Sequence, residues 1–214
     1  MKIALFGAGG HIGSRIAEEA AVRGHEVTAV VRDVARFAAD RPGIRAVQGD
    51  ILDPASVARA VAGHDAVVNA VGPKLPEGDP QIVVQAARTL LAEVPKAGVR
   101  RLLIVGGAGS LEVAPGVDLV DTAEFPEAWK GIALAHRDAL RLYRTAPEGL
   151  LWTYVSPAAF IEPGERTGHF RIGTDQLLTD ERGESRISIE DYAAALVDEL
   201  ENPRFPRQRI TVAY

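Results

Sequence analysis

Short apolar runs alternate with segments of helical periodicity along most of the chain. The runs have the length of buried strands and lie at 2–6, 27–31, 44–48, 64–72, 101–105 and 151–155. The segments at 12–20, 55–62, 80–96 and 127–144 instead place apolar side chains three and four residues apart, as amphipathic helices do. Strands that are covered by helices on both faces read as continuous apolar runs. The alternation therefore predicts an α/β fold with a doubly wound parallel sheet, the Rossmann fold.

The pattern changes after residue 155. Short strands are expected at 169–172 and 176–178, and a helix at 192–201 follows a capping box at 188–191. A last strand is expected at 209–213. We expect one domain over 1–214, with a cofactor-binding core at 1–155 and a small substrate-side lobe at 156–214.

A glycine-rich turn joins the first strand to the first helix. Gly7, Gly10 and Gly13 form Gly-x-x-Gly-x-x-Gly, which departs from the dinucleotide pattern Gly-x-Gly-x-x-Gly because Ile12 stands at the last position. Gly7 permits a sharp turn, Gly10 leaves room for a pyrophosphate, and Gly13 lets the helix approach the sheet. Unpaired N–H groups at the helix start attract phosphate. The alternative is a turn that only connects two elements. The predicted phosphate-binding residues are Gly7, Ala8, Gly9, Gly10, His11, Ile12 and Gly13.

Residues at the ends of later strands complete the predicted cofactor site. Arg32 ends the second strand about 20 residues past the turn, where NADP enzymes place an arginine for the 2′-phosphate. It favours NADP(H) over NAD(H); the alternative is an ordinary exposed charge at a strand end. Asp33 argues mildly for NAD(H), although it also suits a helix N-cap. Asp50, with Ile51, follows the third strand and can accept from the adenine amino group or simply cap a turn. The remaining predicted contacts are Asn69, Ala70, Val71, Gly72, Gly106, Gly107, Ser156 and Pro157. The loop at 74–80 either borders this site or is a plain connection.

Composition narrows the class of protein. The net charge of −5 disfavours nucleic-acid binding, and the absence of cysteine excludes disulfides and thiolate chemistry. The five histidines show no metal-ligand spacing. No apolar run reaches the roughly 18 residues of a membrane span, and no signal-peptide pattern is present. We expect a cytoplasmic protein without a metal, a membrane or a nucleic-acid partner.

Several segments together carry a family resemblance over nearly the whole chain. They lie at 7–13, 31–33, 105–111, 121–126, 156–159, 163–168 and 187–193. These segments resemble the NADH-flavin reductase family, atypical short-chain dehydrogenase/reductases akin to NmrA-like and biliverdin-reductase-B-like proteins. The resemblance implies a Rossmann domain, a reduced nicotinamide cofactor and a flavin or quinone-like acceptor. It implies a flavin that is a substrate and not a bound prosthetic group.

The acid–base pair of the wider superfamily is missing. Ordinary members carry Tyr-x-x-x-Lys on the helix after the fifth strand, where the tyrosine protonates a carbonyl oxygen. Here the corresponding residues are Trp129 and Ala133, and Tyr143 is followed by Pro147 at the lysine position. An alcohol dehydrogenase or sugar epimerase is therefore disfavoured. Hydride transfer to a flavin needs no such pair, because the proton can come from water.

Two side chains remain as candidate catalytic residues. Ser110 can hydrogen-bond the acceptor or the nicotinamide amide, and His136 can donate a proton; a structural role is open for both. Three functions are compatible with these features: a reductase of flavins or quinones, an NADP(H)-sensing regulator of the NmrA-like type, and an isomerase with an unusual base. The chain is expected to be a monomer or a homodimer.

Overall fold

The computed structural model describes residues 1–37, 42–74 and 78–214, so part of the loop at 74–80 lies outside the described residues. The helices are α1 His11–Val22, α2 Pro54–Val61, α3 Ile82–Lys96, α4 Glu127–Arg144 and α5 Ile189–Glu201. The strands are β1 Lys2–Phe6, β2 Glu26–Val31, β3 Ile44–Gln48, β4 Ala66–Asn69, β5 Arg101–Val105, β6 Glu112–Ala114, β7 Val117–Asp118, β8 Leu151–Pro157, β9 Phe160–Glu162, β10 Arg171–Gly173, β11 Arg186–Ser188 and β12 Gln208–Ala213.

Eight of these strands form one sheet in the order β10-β12-β8-β5-β4-β1-β2-β3. Every neighbouring pair is parallel except β10 and β12 at one edge. The strand order reverses at β1, where Phe6 lies between Val30 of β2 and Asn69 of β4. Ligands of such sheets bind at this switch point, outside the carboxyl ends of the strands. The predicted doubly wound α/β fold is confirmed.

Each face of the sheet carries its own apolar core. On one face α1 and α5 cover residues such as Leu5 and Ile210. On the other face α2, α3 and α4 cover residues such as Phe6 and Tyr154. Because both faces are covered, open space at the ends of the sheet is where a ligand can enter.

The residues after 155 join this architecture in part. β12 pairs with β8 in the main sheet, whereas β9 and β11 form a separate two-stranded sheet. The strand expected at 176–178 is absent: Gln176 forms one isolated bridge to Glu112. Glu112 belongs to the hairpin of β6 and β7, which the sequence pattern did not predict because its strands are too short to show alternation.

The capping box at 188–191 is only half formed. Ser188 Oγ accepts from the Asp191 N–H at 3.0 Å, as predicted. The buried Asp191 carboxylate does not accept the Ser188 N–H, as a complete capping box requires. It accepts instead from Thr167 Oγ1 at 2.6 Å, the Gly168 N–H at 2.7 Å and Tyr214 Oη at 2.9 Å. Burial opposes its charge, but these hydrogen bonds prevail and lower the pKa of Asp191. Asp191 thus fastens the loop at 163–168 to α5.

Candidate functional site

Two glycines of the turn are required by the protein's own packing. Gly7 adopts φ +85°, and a Cβ there would lie 2.4 Å from the carbonyl oxygen of Ala70. A Cβ on Gly13 would lie 2.1 Å from the Gly7 carbonyl oxygen. The turn therefore sits directly between the start of α1 and the exit of β4, with the Gly10 N–H donating to Gly7 O at 3.0 Å.

Gly9 and Gly10, in the middle of the turn, have fewer protein atoms around them than Gly7 and Gly13. Among the described residues other than its chain neighbours, none has an atom within 4 Å of a Cβ built on Gly9, and the nearest such atom to a Cβ on Gly10 is Gly7 O at 3.4 Å. Gly10 is the N-cap of α1, with an extended backbone that any residue can adopt. Packing therefore does not require glycine at these two positions, and their role in phosphate binding stays a prediction.

The start of α1 offers hydrogen-bond donors to that space. The first intrahelical hydrogen bond of α1 runs from the Ser14 N–H to Gly10 O at 2.9 Å. The N–H groups of His11, Ile12 and Gly13 come before it and therefore have no acceptor within the helix. The first turn contains no acidic side chain to satisfy or neutralise it. Such an end binds anions, because its N–H groups and the helix dipole both favour negative charge.

A cavity of about 360 Å³ lies beside the ends of β2 and β3. Its lining residues are Arg32, Gln48, Gly49, Asp50, Ser56 and Arg59. Asp50 Oδ1 accepts from the Leu52 N–H at 2.9 Å, so Asp50 caps a turn, which is one of the two roles that the sequence predicts for it. Asp50 Oδ2 accepts no hydrogen bond from the described residues. Ile51 is buried in the core beneath.

The exits of β4 and β5 are shaped by nearby protein atoms. Asn69 Oδ1 accepts from the Val71 N–H at 3.0 Å and holds the chain at Ala70, which touches Gly7; Gly72 is exposed. A Cβ on Gly106 would lie 2.3 Å from the Tyr154 ring, and one on Gly107 would lie 2.9 Å from His136. Packing against β8 and α4 therefore accounts for both glycines.

Ser110 is engaged in packing. It is 6% exposed, and its Oγ and carbonyl oxygen accept from Arg209 Nη1 at 3.0 and 2.6 Å. Arg209 also donates through Nε to Asp175 Oδ1 at 2.9 Å. The hydroxyl thus contacts a buried guanidinium, which is the structural role that the sequence analysis names as the alternative to a catalytic one.

His136 lies beside Gly107 and is paired with Tyr154. Its Nδ1 is 2.9 Å from Tyr154 Oη, and Tyr154 Oη donates to the His136 carbonyl oxygen at 3.0 Å. Since tyrosine has one hydroxyl proton, Nδ1 carries the ring proton and Nε2 presents a lone pair. Burial lowers the pKa of His136 to about 4, so the ring is neutral at pH 7. The predicted proton donation does not fit this state; a neutral acceptor does.

The end of β8 is covered. Ser156 is fully buried, and its Oγ has no partner among the described residues; the Thr211 Oγ opposite it in the register has none either. Pro157 is also buried. The contact of Ser156 and Pro157 with a nicotinamide stays a prediction.

The face of α4 beside β5 lacks an acid–base pair. Trp129, in the first turn of α4, is 53% exposed, and Ala133 comes so close to Gly109 that a Cβ on that glycine would lie 2.6 Å from the alanine Cβ. Tyr143 is fully buried in the core, which raises its pKa far above the ordinary value. Neither position offers a tyrosine that can protonate a bound carbonyl.

Arg59 lines the cavity, and the sequence pattern did not predict it as a site residue. It follows Ser56 by three residues on α2, so the two share a helix face, and both line the cavity with Arg32. That spacing is visible in the sequence, but the approach of α2 to the end of β2 is not.

Within the described ranges, no group of three or more histidine or acidic side chains is placed to hold a metal ion. No helix in those ranges is both long and apolar enough to cross a bilayer.

Comparison with known proteins bears on these features. A family model described as NAD(P)H-binding matches residues 7–203. A solved structure from Burkholderia pseudomallei, named "putative exported protein", is 55% identical with a TM-score of 0.91, and the match covers 100% of both chains.

Two further structures carry enzyme names. A protein from Bacteroides thetaiotaomicron, named "putative epimerase", is 39% identical over 100% of this chain and 96% of that one, with a TM-score of 0.90. A protein from Streptococcus pneumoniae, named "a putative NADH-flavin reductase", is 36% identical over 100% of this chain and 99% of that one, with a TM-score of 0.88. The three names differ although the fold is shared, so the names do not identify the acceptor.

Proposed function

Since this chain belongs to the NAD(P)H-binding family, we propose that it is an NAD(P)H-dependent reductase of a flavin or quinone-like acceptor that works without a Tyr-Lys pair. The observation that carries the acceptor class is the face of α4, where Trp129 and Ala133 stand at the positions of the missing pair. A carbonyl or sugar substrate needs an acid at this place, whereas a flavin or quinone ring needs only a stacked approach and a proton from water.

The residues of the chain divide the remaining work. The N–H groups of His11, Ile12 and Gly13 bind the pyrophosphate, and Arg32 favours NADP(H) over NAD(H). When bound, the reduced nicotinamide supplies the hydride. His136 Nε2 accepts a hydrogen bond from an N–H or O–H of the bound rings and so orients them. Ser110 has no chemical role in this scheme.

A cofactor-sensing regulator of the NmrA-like type is the second candidate. The engaged Ser110 hydroxyl and the neutral His136 ring leave little side-chain chemistry at the site, which suits a protein that binds NADP(H) and controls a partner. The name of the Bacteroides neighbour raises an epimerase, which the absence of an acid–base pair disfavours. The cytoplasmic location, the single domain, the monomeric or homodimeric state, and the absence of nucleic-acid or membrane partners stay proposals.

The decisive test offers the protein NADPH and NADH with FMN, FAD, riboflavin and a quinone in turn, and follows absorbance at 340 nm. We expect turnover with at least one acceptor, faster with NADPH, and loss of that preference in Arg32→Ala. Tight NADPH binding without oxidation by any acceptor would overturn the reductase and favour the sensor. Epimerised product without net loss of NADPH would point to the isomerase.

The titration of His136 is a separate expectation. Its ring should stay neutral down to about pH 5, because burial lowers the pKa to about 4 from an ordinary value near 6.5. The stability that comes from burying the neutral ring is therefore complete above pH 6.5 and is lost as the pH falls toward 4. Imidazole NMR signals, assigned by comparison with His136→Asn, would measure this. A midpoint near 6.5 would restore His136 as a proton donor.

A further inference from the structure

Two arginines from different elements line the cavity at the ends of β2 and β3. Arg32 directly follows β2, and Arg59 lies in the last turn of α2. Among the residues that the structure describes, neither guanidinium has a carboxylate within 4 Å. Asp50 is the one carboxylate among the described lining residues, and its Oδ1 accepts from the Leu52 N–H. The lining therefore carries two positive charges against one negative charge, a balance that favours an anionic ligand.

Both sides of the cavity are held in place by neighbouring contacts. The Asp50 N–H donates to Ser56 Oγ at 2.9 Å, which ties α2 to the end of β3. Gly49 lies so close to α2 and β2 that a Cβ there would be 3.2 Å from Ser56 Oγ and 2.5 Å from Val30. On the other side, Gln48 Nε2 donates to the Arg32 carbonyl oxygen at 3.4 Å. The main chains that carry the two guanidinium groups are thus set before any ligand arrives, which lowers the entropy lost on binding.

We propose that Arg59 acts with Arg32 as a two-arginine clamp for a phosphomonoester on the adenosine ribose, the 2′-phosphate that distinguishes NADP(H) from NAD(H). The inference rests on the proposed function, because it takes the adenosine to lie beyond β2 when the pyrophosphate is on α1. A phosphomonoester carries close to two negative charges at neutral pH and presents three acceptor oxygens, which two guanidinium forks match. Arg59 then determines cofactor choice and takes no part in hydride transfer.

The test measures binding of two fragments by isothermal titration calorimetry: 2′,5′-ADP, which has the 2′-phosphate, and 5′-AMP, which lacks it. We expect Arg59→Gln to weaken 2′,5′-ADP about 10-fold or more and to change 5′-AMP less than about twofold. Arg59→Lys should recover part of the loss, since it restores charge without the fork. In the wild type, the preference for 2′,5′-ADP should shrink from pH 7.5 to 5.5, as the phosphomonoester takes up a proton with a pKa near 6.

Arg45→Gln is the matched control, because Arg45 is an exposed arginine on β3 that does not line the cavity. It should leave both fragments unchanged, and circular dichroism should show every variant folded. An equal loss for both fragments in Arg59→Gln, no loss for either, or no wild-type preference for 2′,5′-ADP would overturn the clamp. Neither fragment can donate a hydride, so failure of the reductase assay leaves the clamp standing, and failure of the clamp leaves the reductase standing.

Discussion

Replacing Glu199 by alanine is expected to lower the free energy of unfolding by about 3–5 kcal/mol, because it leaves a buried guanidinium without its counter-ion. Glu199 Oε1 lies 2.9 Å from Arg101 Nη2, and the two side chains are 1% and 7% exposed. The same carboxylate accepts from the N–H groups of Arg204 and Phe205, both at 3.1 Å. Arg101 also donates to Thr153 Oγ at 2.8 Å. One substitution therefore removes the carboxylate that links Arg101 of β5 to the turn before β12, while the Glu199 carbonyl oxygen still accepts from Arg101 Nη2 at 2.8 Å.

Urea unfolding at pH 7, followed by far-ultraviolet circular dichroism, measures this loss. Asp138→Ala is the control, since it removes an exposed pair with Arg141 at 3.0 Å, in which the side chains are 52% and 64% exposed. We expect that control to change the free energy of unfolding by less than about 1 kcal/mol. A change of the same small size in Glu199→Ala would show that the buried pair is not needed for stability.

We expect Gly13→Ala to impair folding, and we expect Gly10→Ala to leave folding nearly unchanged but to weaken NADPH binding. A Cβ on Gly13 would lie 2.1 Å from a main-chain oxygen, so Gly13→Ala should destabilise the protein by about 3 kcal/mol or more, or prevent folding. Gly10→Ala meets its nearest protein atom at 3.4 Å and should cost less than about 1 kcal/mol. Its methyl group would nevertheless occupy the phosphate space and weaken NADPH binding about 10- to 100-fold.

Thermal unfolding and NADPH titration of the two variants separate these effects. Gly149→Ala serves as the control, because Gly149 is exposed and lies outside the turn, and a Cβ built there meets no atom of the described, non-neighbouring residues within 4 Å. It should alter neither quantity. Unchanged NADPH binding in a folded Gly10→Ala protein would remove Gly10 from the phosphate site, and a stable Gly13→Ala protein would contradict the packing of the turn.

The sequence by itself determined the features that depend on neighbours close in the chain. Apolar periodicity placed the six main strands and the helices, because burial on one or both faces imposes a repeat on local residues. The caps formed by Asp33 and Ser188 are present, each accepting an N–H two or three residues on. The glycine turn likewise lies between β1 and α1, as its flanking pattern predicted.

Only the tertiary structure decided which polar side chains meet. Ser110 and Arg209 are 99 residues apart, and His136 meets Tyr154 across α4 and β8. These contacts engage the Ser110 hydroxyl with a buried guanidinium and place the Tyr154 hydroxyl beside His136 Nδ1, and the chemical roles of Ser110 and His136 stay predictions. Arg59 becomes a cavity residue only because α2 closes against the ends of β2 and β3. No local repeat records such meetings: the partners are distant in the chain, and burial, which sets the protonation of His136, exists only once the elements have packed.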